Sequence, residues 1–162
     1  MCKKFVCLIF AVLTALTTAP VLGAEILSPG DFIIAIDADG GSNSPPAEPV
    51  EEAIDRVYGG GGAKYLNFGE TNSGFIVTPS VGVSIVTSFE IWTANDSPER
   101  DPATWELYGT NNSIVSTNHS TGNAENWTLI ASGPISLPDG RNANGTEDNK
   151  ALVSFAGATP YA

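Results

Sequence analysis

The sequence predicts an all-β protein behind a short export segment. Short apolar runs alternate with turn residues, 17 Gly and 11 Pro occur among 162 residues, and no long amphipathic helical pattern is present. Apolar residues at every second position are typical of strands with one face in a core. Such strands, separated by turns at short intervals, favour a sandwich or a barrel.

Residues 1–24 have the three parts of a secretory signal peptide. Lys3 and Lys4 form a positive start, residues 5–16 are apolar apart from one Thr, and residues 21–24 offer a cleavage site. The alternative is a membrane anchor, but the apolar run is short for a bilayer span of about 20 residues. We therefore expect cleavage, a secreted or cell-surface location, and no stable membrane span after removal.

The predicted mature domain covers residues 25–162. Its acidity excludes a phosphate-neutralising nucleic-acid interface, since the chain has 7 Lys and Arg against 18 Asp and Glu, a net charge of −11. Both cysteines, Cys2 and Cys7, lie in the export segment. The mature domain therefore has no disulfide and must be stabilised by burial of its core.

The elements follow from local patterns, and residues 83–93 give the strongest strand pattern. Residues 50–57 predict about one helical turn. The predicted strands lie at 32–36, 65–68, 74–78, 83–93, 104–109, 127–131 and 152–155. Large apolar residues on the inward faces are expected in the core: Ile34, Ile36, Phe75, Ile85, Phe89, Ile91, Trp105, Leu107, Leu129 and Phe155.

Several segments occur in a familiar order. They are Ala-Ile-Asp at 53–55, Lys-Tyr-Leu-Asn-Phe at 64–68, Ser-Gly-Phe-Ile-Val-Thr-Pro at 73–79, residues 93–102, Trp-Glu-Leu-Tyr-Gly-Thr-Asn at 105–111 and Trp-Thr-Leu-Ile-Ala at 127–131. Together they resemble the discoidin domain, also called the coagulation-factor type C or galactose-binding-like domain. The closest form is that of exported bacterial proteins with a PEP-CTERM sorting tail.

This resemblance implies a jelly-roll β-sandwich of about eight main strands that binds rather than catalyses, with sugars as its commonest ligands. The family's last strands and the sorting tail have no counterpart here. We therefore expect a domain shortened at its C-terminus, with an exposed strand edge.

The resemblance also implies a calcium ion as cofactor, bound by Asp55 and neighbouring backbone carbonyls. Arg56 stands where the family has Gly, and Ala63 stands where it has Thr. The alternative is a structural loop in which Arg56 pairs with Asp55. A second calcium-like pattern runs from Asp37 to Glu48, but Ser42 and two prolines interrupt it, which favours a polar loop.

Ligand contacts are expected from the loop after the strongest strand. Asn95, Asp96, Glu99 and Arg100 can hydrogen-bond sugar hydroxyls, and the alternative is a self-paired hairpin. Tyr58, beside four consecutive glycines, is the candidate exposed aromatic for stacking on a sugar ring. Trp92, Trp105 and Trp127 lie within strand patterns and are expected in the core.

No catalytic signature is present. His119 is the only His, so it has no second His or Cys in the mature domain with which to bind zinc, and no nucleophile-elbow motif occurs. The sequence predicts a non-enzymatic exported module that binds extracellular carbohydrate or a surface polymer. The alternative is a structural or adhesion component of an extracellular matrix without a small-molecule site.

Overall fold

A computed structural model describes residues 4–9, 24–37, 43–69, 71 and 73–162. The described residues form an all-β fold with two short 3-10 turns, at Val50–Ala53 and Pro98–Arg100. No helix among them is long and apolar enough to cross a membrane. The strands are β1 Lys4–Ile9, β2 Phe32–Ile36, β3 Ser73–Thr78, β4 Ser88–Trp92, β5 Thr104–Gly109, β6 Thr128–Pro134 and β7 Lys150–Ser154.

These strands form two sheets. The larger has the order β2-β3-β1-β5-β6, and the smaller pairs β4 with β7. Neighbours β2 and β3, β5 and β6, and β4 and β7 are antiparallel, whereas β1 runs parallel to both β3 and β5. Because β1 is parallel to both β3 and β5, those two strands point in the same direction.

The main core lies between the sheets. Phe89 of β4 contacts Trp105 of β5 edge-on, with ring centroids 5.0 Å apart, and Phe155, just after β7, lies 5.5 Å from Trp105. This core cluster contains eight buried residues: Ala35, Val50, Ile54, Phe75, Val77, Val86, Trp105 and Leu107. The two sheets are therefore joined by apolar burial, which is the main stabilising contribution in a domain of this kind.

A second cluster covers the opposite face of the larger sheet. Ile34, Ile36 and Ile76 are buried there, and Tyr108, Ile114 and Trp127 pack against them. The middle of the larger sheet is consequently covered on both faces. This explains why β3 is apolar at consecutive positions rather than at every second one.

The strand predictions at 32–36, 74–78, 104–109, 127–131 and 152–155 are confirmed to within three residues. The predicted strand at 65–68 is wrong. That segment is a loop whose backbone bonds go to distant loop residues, from Leu66 N–H to Glu48 O and from Phe68 N–H to Asn43 O. The predicted strand at 83–93 shortens to β4, because Ser84 bonds instead with Tyr161 near the chain end.

Two residues that were predicted to lie in the core are exposed. In both cases the prediction assigned the side chain to the wrong face of the strand. Ile85 is 46 % exposed and its neighbour Val86 is buried, because residues 83–87 precede the regular strand. Leu129 is 52 % exposed, because a bulge shifts the β5–β6 register so that Leu107 faces Ala131 and Tyr108 faces Leu129. The extra residue, Ile130, packs on the core instead.

The other core predictions hold to different degrees. Phe89 and Phe155 are partly buried against the main cluster, and Ile91 is half-buried on the wall of a cavity. Five of the predicted residues are buried: Ile34, Ile36, Phe75, Trp105 and Leu107.

The predicted export segment is described only at residues 4–9, which form β1, and its other residues up to Gly23 lie outside the described residues. The predicted calcium-like loop after Asp37 also lies largely outside them, at residues 38–42. Cleavage therefore stays a prediction.

Candidate functional site

An open cavity of about 750 Å³ lies beside β4, between the smaller sheet and the loops that follow Val50–Ala53. Strand β4 forms its floor, and the glycine-rich loop 59–62 and the loop 95–102 form parts of its rim. The side chains that decide its chemistry are Tyr58, Lys64, Trp92, Thr93, Asp96 and Arg100. Three of the sequence-predicted ligand residues, Tyr58, Asp96 and Arg100, therefore line one cavity.

An aromatic pair forms one wall. The rings of Tyr58 and Trp92 lie 4.6 Å apart between centroids, tilted by 31°. The ammonium of Lys150 stands 5.2 Å from the centre of the Trp92 ring and pairs with Glu90 at 2.9 Å. Burial, helped by the carboxylate of Glu147, raises the pKa of Tyr58. Tyr58 is thus half-buried against Trp92 rather than free-standing as predicted.

The tryptophans separate into two groups. Trp105 is buried, and Trp127 packs on the second cluster, as predicted. Trp92 belongs to neither core cluster and lines the cavity, so its predicted place in the core is wrong. The cause is its position at the end of a two-stranded sheet, where no third strand covers it among the described residues.

Two residues that line the cavity each have a buried polar atom without a hydrogen-bond partner among the described residues, the indole Nε1 of Trp92 and the Oγ1 of Thr93. Thr93 is only 2 % exposed. The other indoles are paired: Nε1 of Trp105 donates to Pro134 O at 3.2 Å, and Nε1 of Trp127 donates to Gly122 O at 2.7 Å. A buried polar atom without a partner costs free energy, and neither atom has a surface that is open to the cavity.

A charged rim is organised by Lys64. Its ammonium donates to Asn95 Oδ1 at 3.0 Å and Asp96 Oδ1 at 2.8 Å, and lies 3.4 Å from Glu48. Arg100 donates to the same Asp96 oxygen at 3.1 Å. The hydrogen bond from Lys64, with the charges of Lys64 and Arg100, lowers the pKa of Asp96.

The structure thus brings together Asn95, Asp96 and Arg100, while Glu99 is exposed and has no ion-pair partner among the described residues. Self-pairing within the loop, the predicted alternative, is realised by Arg100 and Asp96. Sequence reasoning missed Lys64 as a site residue. The available indication was its place directly after the glycine-rich loop that carries Tyr58.

Glycines bring that loop close to its neighbours. A side chain at Gly60 would collide with Asn95, and one at Gly59 would collide with the backbone of Ala143. Gly59 also has φ 114°, a conformation that other residues rarely adopt. The glycine run therefore lets Tyr58 and Asn95 share one rim.

A buried asparagine, also missed, fixes the far end of β4. Asn142 is fully buried, and its Nδ2 donates to Thr93 O at 3.1 Å and Asn149 O at 2.9 Å. Its Oδ1 accepts from Asn149 N–H at 2.9 Å. This side chain adds to the backbone bonds from Thr93 N–H to Asn149 O and from Asn142 N–H to Ala94 O, and it holds Thr93 in place.

The loop at Asp55 differs from the expected salt-bridged loop. Arg56 pairs with Glu25 at 2.6 Å and donates to Leu27 O at 3.0 Å, so its predicted pairing with Asp55 is wrong. Arg56 has φ 65°, which Gly adopts more readily. Asp55 Oδ1 instead accepts Val57 N–H at 2.8 Å.

No group of three or more acidic, His or Cys side chains converges to hold a metal among the described residues. Calcium at Asp55 stays a prediction. A melting temperature that rises with calcium, and no longer does so in Asp55→Ala, would establish it, whereas identical curves would leave a structural loop.

A second missed contact joins β2 to a distant loop. Asp37 is fully buried; its Oδ1 accepts from Asn67 Nδ2 at 2.7 Å, and its Oδ2 lies 3.0 Å from Nδ1 of His119. Nearby, burial raises the pKa of Tyr65 to about 12. Asp37 and Glu48, the ends of the calcium-like pattern, thus contact His119 and Lys64 respectively.

Comparison of the chain with protein-family models, curated proteins and solved structures finds no match.

Proposed function

We propose that this protein is an exported, non-catalytic binding module that takes carbohydrate in the cavity beside β4. The carrying observation is that the Tyr58–Trp92 wall and the Lys64–Asp96–Arg100 rim line one open cavity. The proposed fold is a jelly-roll sandwich of the discoidin type. Its support is the residue resemblance together with two sheets joined across one core, in which every strand pair that does not involve β1 is antiparallel.

The chemistry of this cavity suits a saccharide. A sugar ring offers an apolar face that packs on aromatic rings and hydroxyls that both donate and accept hydrogen bonds. Asp96 and Asn95 supply acceptors, and Lys64 and Arg100 supply donors. The net charge of −11 disfavours polyanionic ligands, so a neutral saccharide is the preferred class.

Glycan-array binding of the full chain, followed by titration with each glycan that binds, tests the proposal. Trp92→Ala should weaken binding at least about tenfold, because it removes half of the aromatic wall. Phe32→Ala is the matched control, since Phe32 is 55 % exposed and lies outside the cavity. Binding that survives Trp92→Ala, or equal losses in both variants, would contradict the proposal.

A second candidate function is adhesion to an extracellular polymer or protein. Its support is three exposed apolar residues on the cavity margin, Val57, Phe68 and Leu152, which are 53 %, 60 % and 62 % exposed. Apolar exposure of this kind is a feature of contact surfaces. Adhesion that soluble saccharides do not compete away, and that Phe68→Ser reduces, would favour this candidate.

Export is part of the proposal and has its own test. The intact mass of secreted protein should correspond to a chain that starts at Ala24 or Glu25. Secreted protein that retains residues 1–23 would contradict removal of the segment.

A further inference from the structure

The strand at the centre of the larger sheet comes from the segment that the sequence marks for removal. β1, six residues long, pairs with β3 through Phe5↔Ser73 to Ile9↔Val77 and with β5 through Lys4↔Thr104 to Leu8↔Tyr108. If the segment leaves, β3 and β5 face each other across a gap of about 10 Å, twice the spacing of neighbouring strands. Both then present unpaired backbone groups inside the sheet.

We propose that this gap, which we call the strand slot, is a binding site for an extended apolar strand of another polypeptide. The inference rests on the proposed removal of residues 1–23 but is independent of glycan binding. The slot is defined by Ser73–Val77 of β3 on one side and Thr104–Tyr108 of β5 on the other. Main-chain hydrogen bonds would supply affinity, and side-chain positions would supply selectivity.

The flanking strands define the chemistry of the occupant. At the register position shared by Phe75 and Leu107, the neighbouring side chains belong to the main core. At the next position, Ile76 and Tyr108 belong to the second cluster on the opposite face. An occupant therefore needs apolar residues on both faces, about five or six in succession.

The proposed partner strand differs from β1 in its direction. Every other pairing in the larger sheet is antiparallel, and β1 alone is parallel to its neighbours. Because β3 and β5 point the same way, a strand running opposite to β1 makes the whole sheet antiparallel. Parallel pairing is slightly less stable per residue, so the slot should prefer an occupant that runs antiparallel to β3 and β5.

The test uses the full chain with a site-specific protease sequence inserted between Gly23 and Ala24. The folded protein is cleaved and then challenged with three peptides: the sequence of β1, the same residues in reverse order, and the reverse-order peptide with two prolines. The reverse-order peptide places the same side chains at the same register positions but runs antiparallel. The proline peptide is the matched control, because it cannot complete the ladder.

We expect the reverse-order peptide to displace the cleaved segment about tenfold more effectively than the β1 peptide, and the proline peptide to fail. Successive N–H groups of a strand point to opposite neighbours, so only some amides of Phe75 to Val77 and of Trp105 to Leu107 face the slot. Hydrogen exchange at these slot-facing amides should accelerate when the segment leaves and slow when the peptide binds. If the chain loses structure when the cleaved segment leaves, binding of the reverse-order peptide should restore the protection of the same amides.

Four results would overturn the proposal. In the first, the slot-facing amides stay protected with the slot empty, and in the second, the proline peptide acts as well as the reverse-order peptide. In the third, only the β1 peptide displaces the cleaved segment, and in the fourth, no peptide produces displacement or recovery of protection. Dimerisation of the cleaved chain in place of peptide binding would assign the slot to a second copy and would also overturn it. None of these outcomes depends on glycan binding or on natural cleavage.

Discussion

The two sheets differ in how they are covered. In β3, Ser73 to Val77 are all buried because one cluster lies on each face. In β4, Ser88 and Glu90 are exposed while Phe89, Ile91 and Trp92 are half-buried. The larger sheet therefore carries stability, and the smaller sheet provides a surface that a ligand can reach. The proposed carbohydrate site follows from this division, since the cavity opens where cover is missing.

The largest difference between the two sheets is expected when one side chain in each sheet is shortened to Ala. Leu107→Ala in β5 should lower the free energy of unfolding by about 2–5 kcal/mol, because Leu107 is fully buried in the main core. Leu152→Ala in β7 should change it by less than about 0.5 kcal/mol, because Leu152 is 62 % exposed. Chemical denaturation measures both. Similar losses would show that the sheets do not differ in this way.

The next test concerns the buried amide below the cavity. Asn142→Ala should cost about 1–3 kcal/mol, because the Thr93 carbonyl and the Asn149 N–H lose their partner and the Asn149 carbonyl keeps only the Thr93 N–H. It should also weaken saccharide binding, because Thr93 is then less firmly held. Asn123→Ala, at an exposed position, is the control. A variant with native stability would remove Asn142 from the account of the cavity.

The charged rim should make a pH-dependent contribution to the free energy of unfolding. Because the pKa of Asp96 is lower in the folded protein than in the unfolded chain, the ionised carboxylate stabilises the fold. That stability is present above the unfolded-state pKa and is lost as pH falls through the folded-state pKa. Asp96→Asn should therefore cost about 0.2–1 kcal/mol at neutral pH, since the pair is partly exposed, and nothing in acid.

Melting curves measured across pH test this prediction. The curves of the native protein and Asp96→Asn should converge as Asp96 becomes protonated, while Asp139→Asn, at an exposed position, should follow the native protein throughout. A constant offset for Asp96→Asn at every pH would mean that the carboxylate charge is not its cause.

The smallest expected effect is a gain in stability instead of a loss, and it concerns Glu52. Burial, followed by Asp55 and Glu51, raises the pKa of Glu52, so the folded protein holds its proton more tightly than the unfolded chain. Stability should then fall as pH rises from the unfolded-state pKa through the raised folded-state pKa. Glu52→Gln should stabilise the protein by about 0.2–0.5 kcal/mol at neutral pH and flatten this slope. A destabilised Glu52→Gln, measured by thermal melting, would contradict the like-charge explanation.

Local patterns were sufficient for three strands of the larger sheet. β2, β3 and β5 were predicted from runs of apolar residues, and their central residues are buried. The errors at Ile85 and Leu129 arise because one bulge or one bend reverses which residues face the core. Alternation along one strand contains no information about the register of its partner, so these errors could not be avoided from the sequence alone.

The site was predictable only in part, for a related reason. Asp96 and Arg100 lie four residues apart, so their pairing was among the expected alternatives. Contacts between distant segments, such as Lys64 with Asp96 or Asp37 with His119, depend on how loops meet after folding. The place of Trp92 on the cavity depends on the absence of a third strand beside β4 among the described residues, which no pattern within β4 can reveal.

The most direct test of the proposed carbohydrate site uses the three indole N–H groups as probes in one NMR titration with a glycan that binds. Those of Trp105 and Trp127 donate to protein carbonyls, and that of Trp92 has no partner among the described residues. The account predicts that the Trp92 indole resonance shifts as the glycan is added while the other two stay in place. A titration that moves the Trp105 or Trp127 resonance and leaves that of Trp92 unchanged would contradict it.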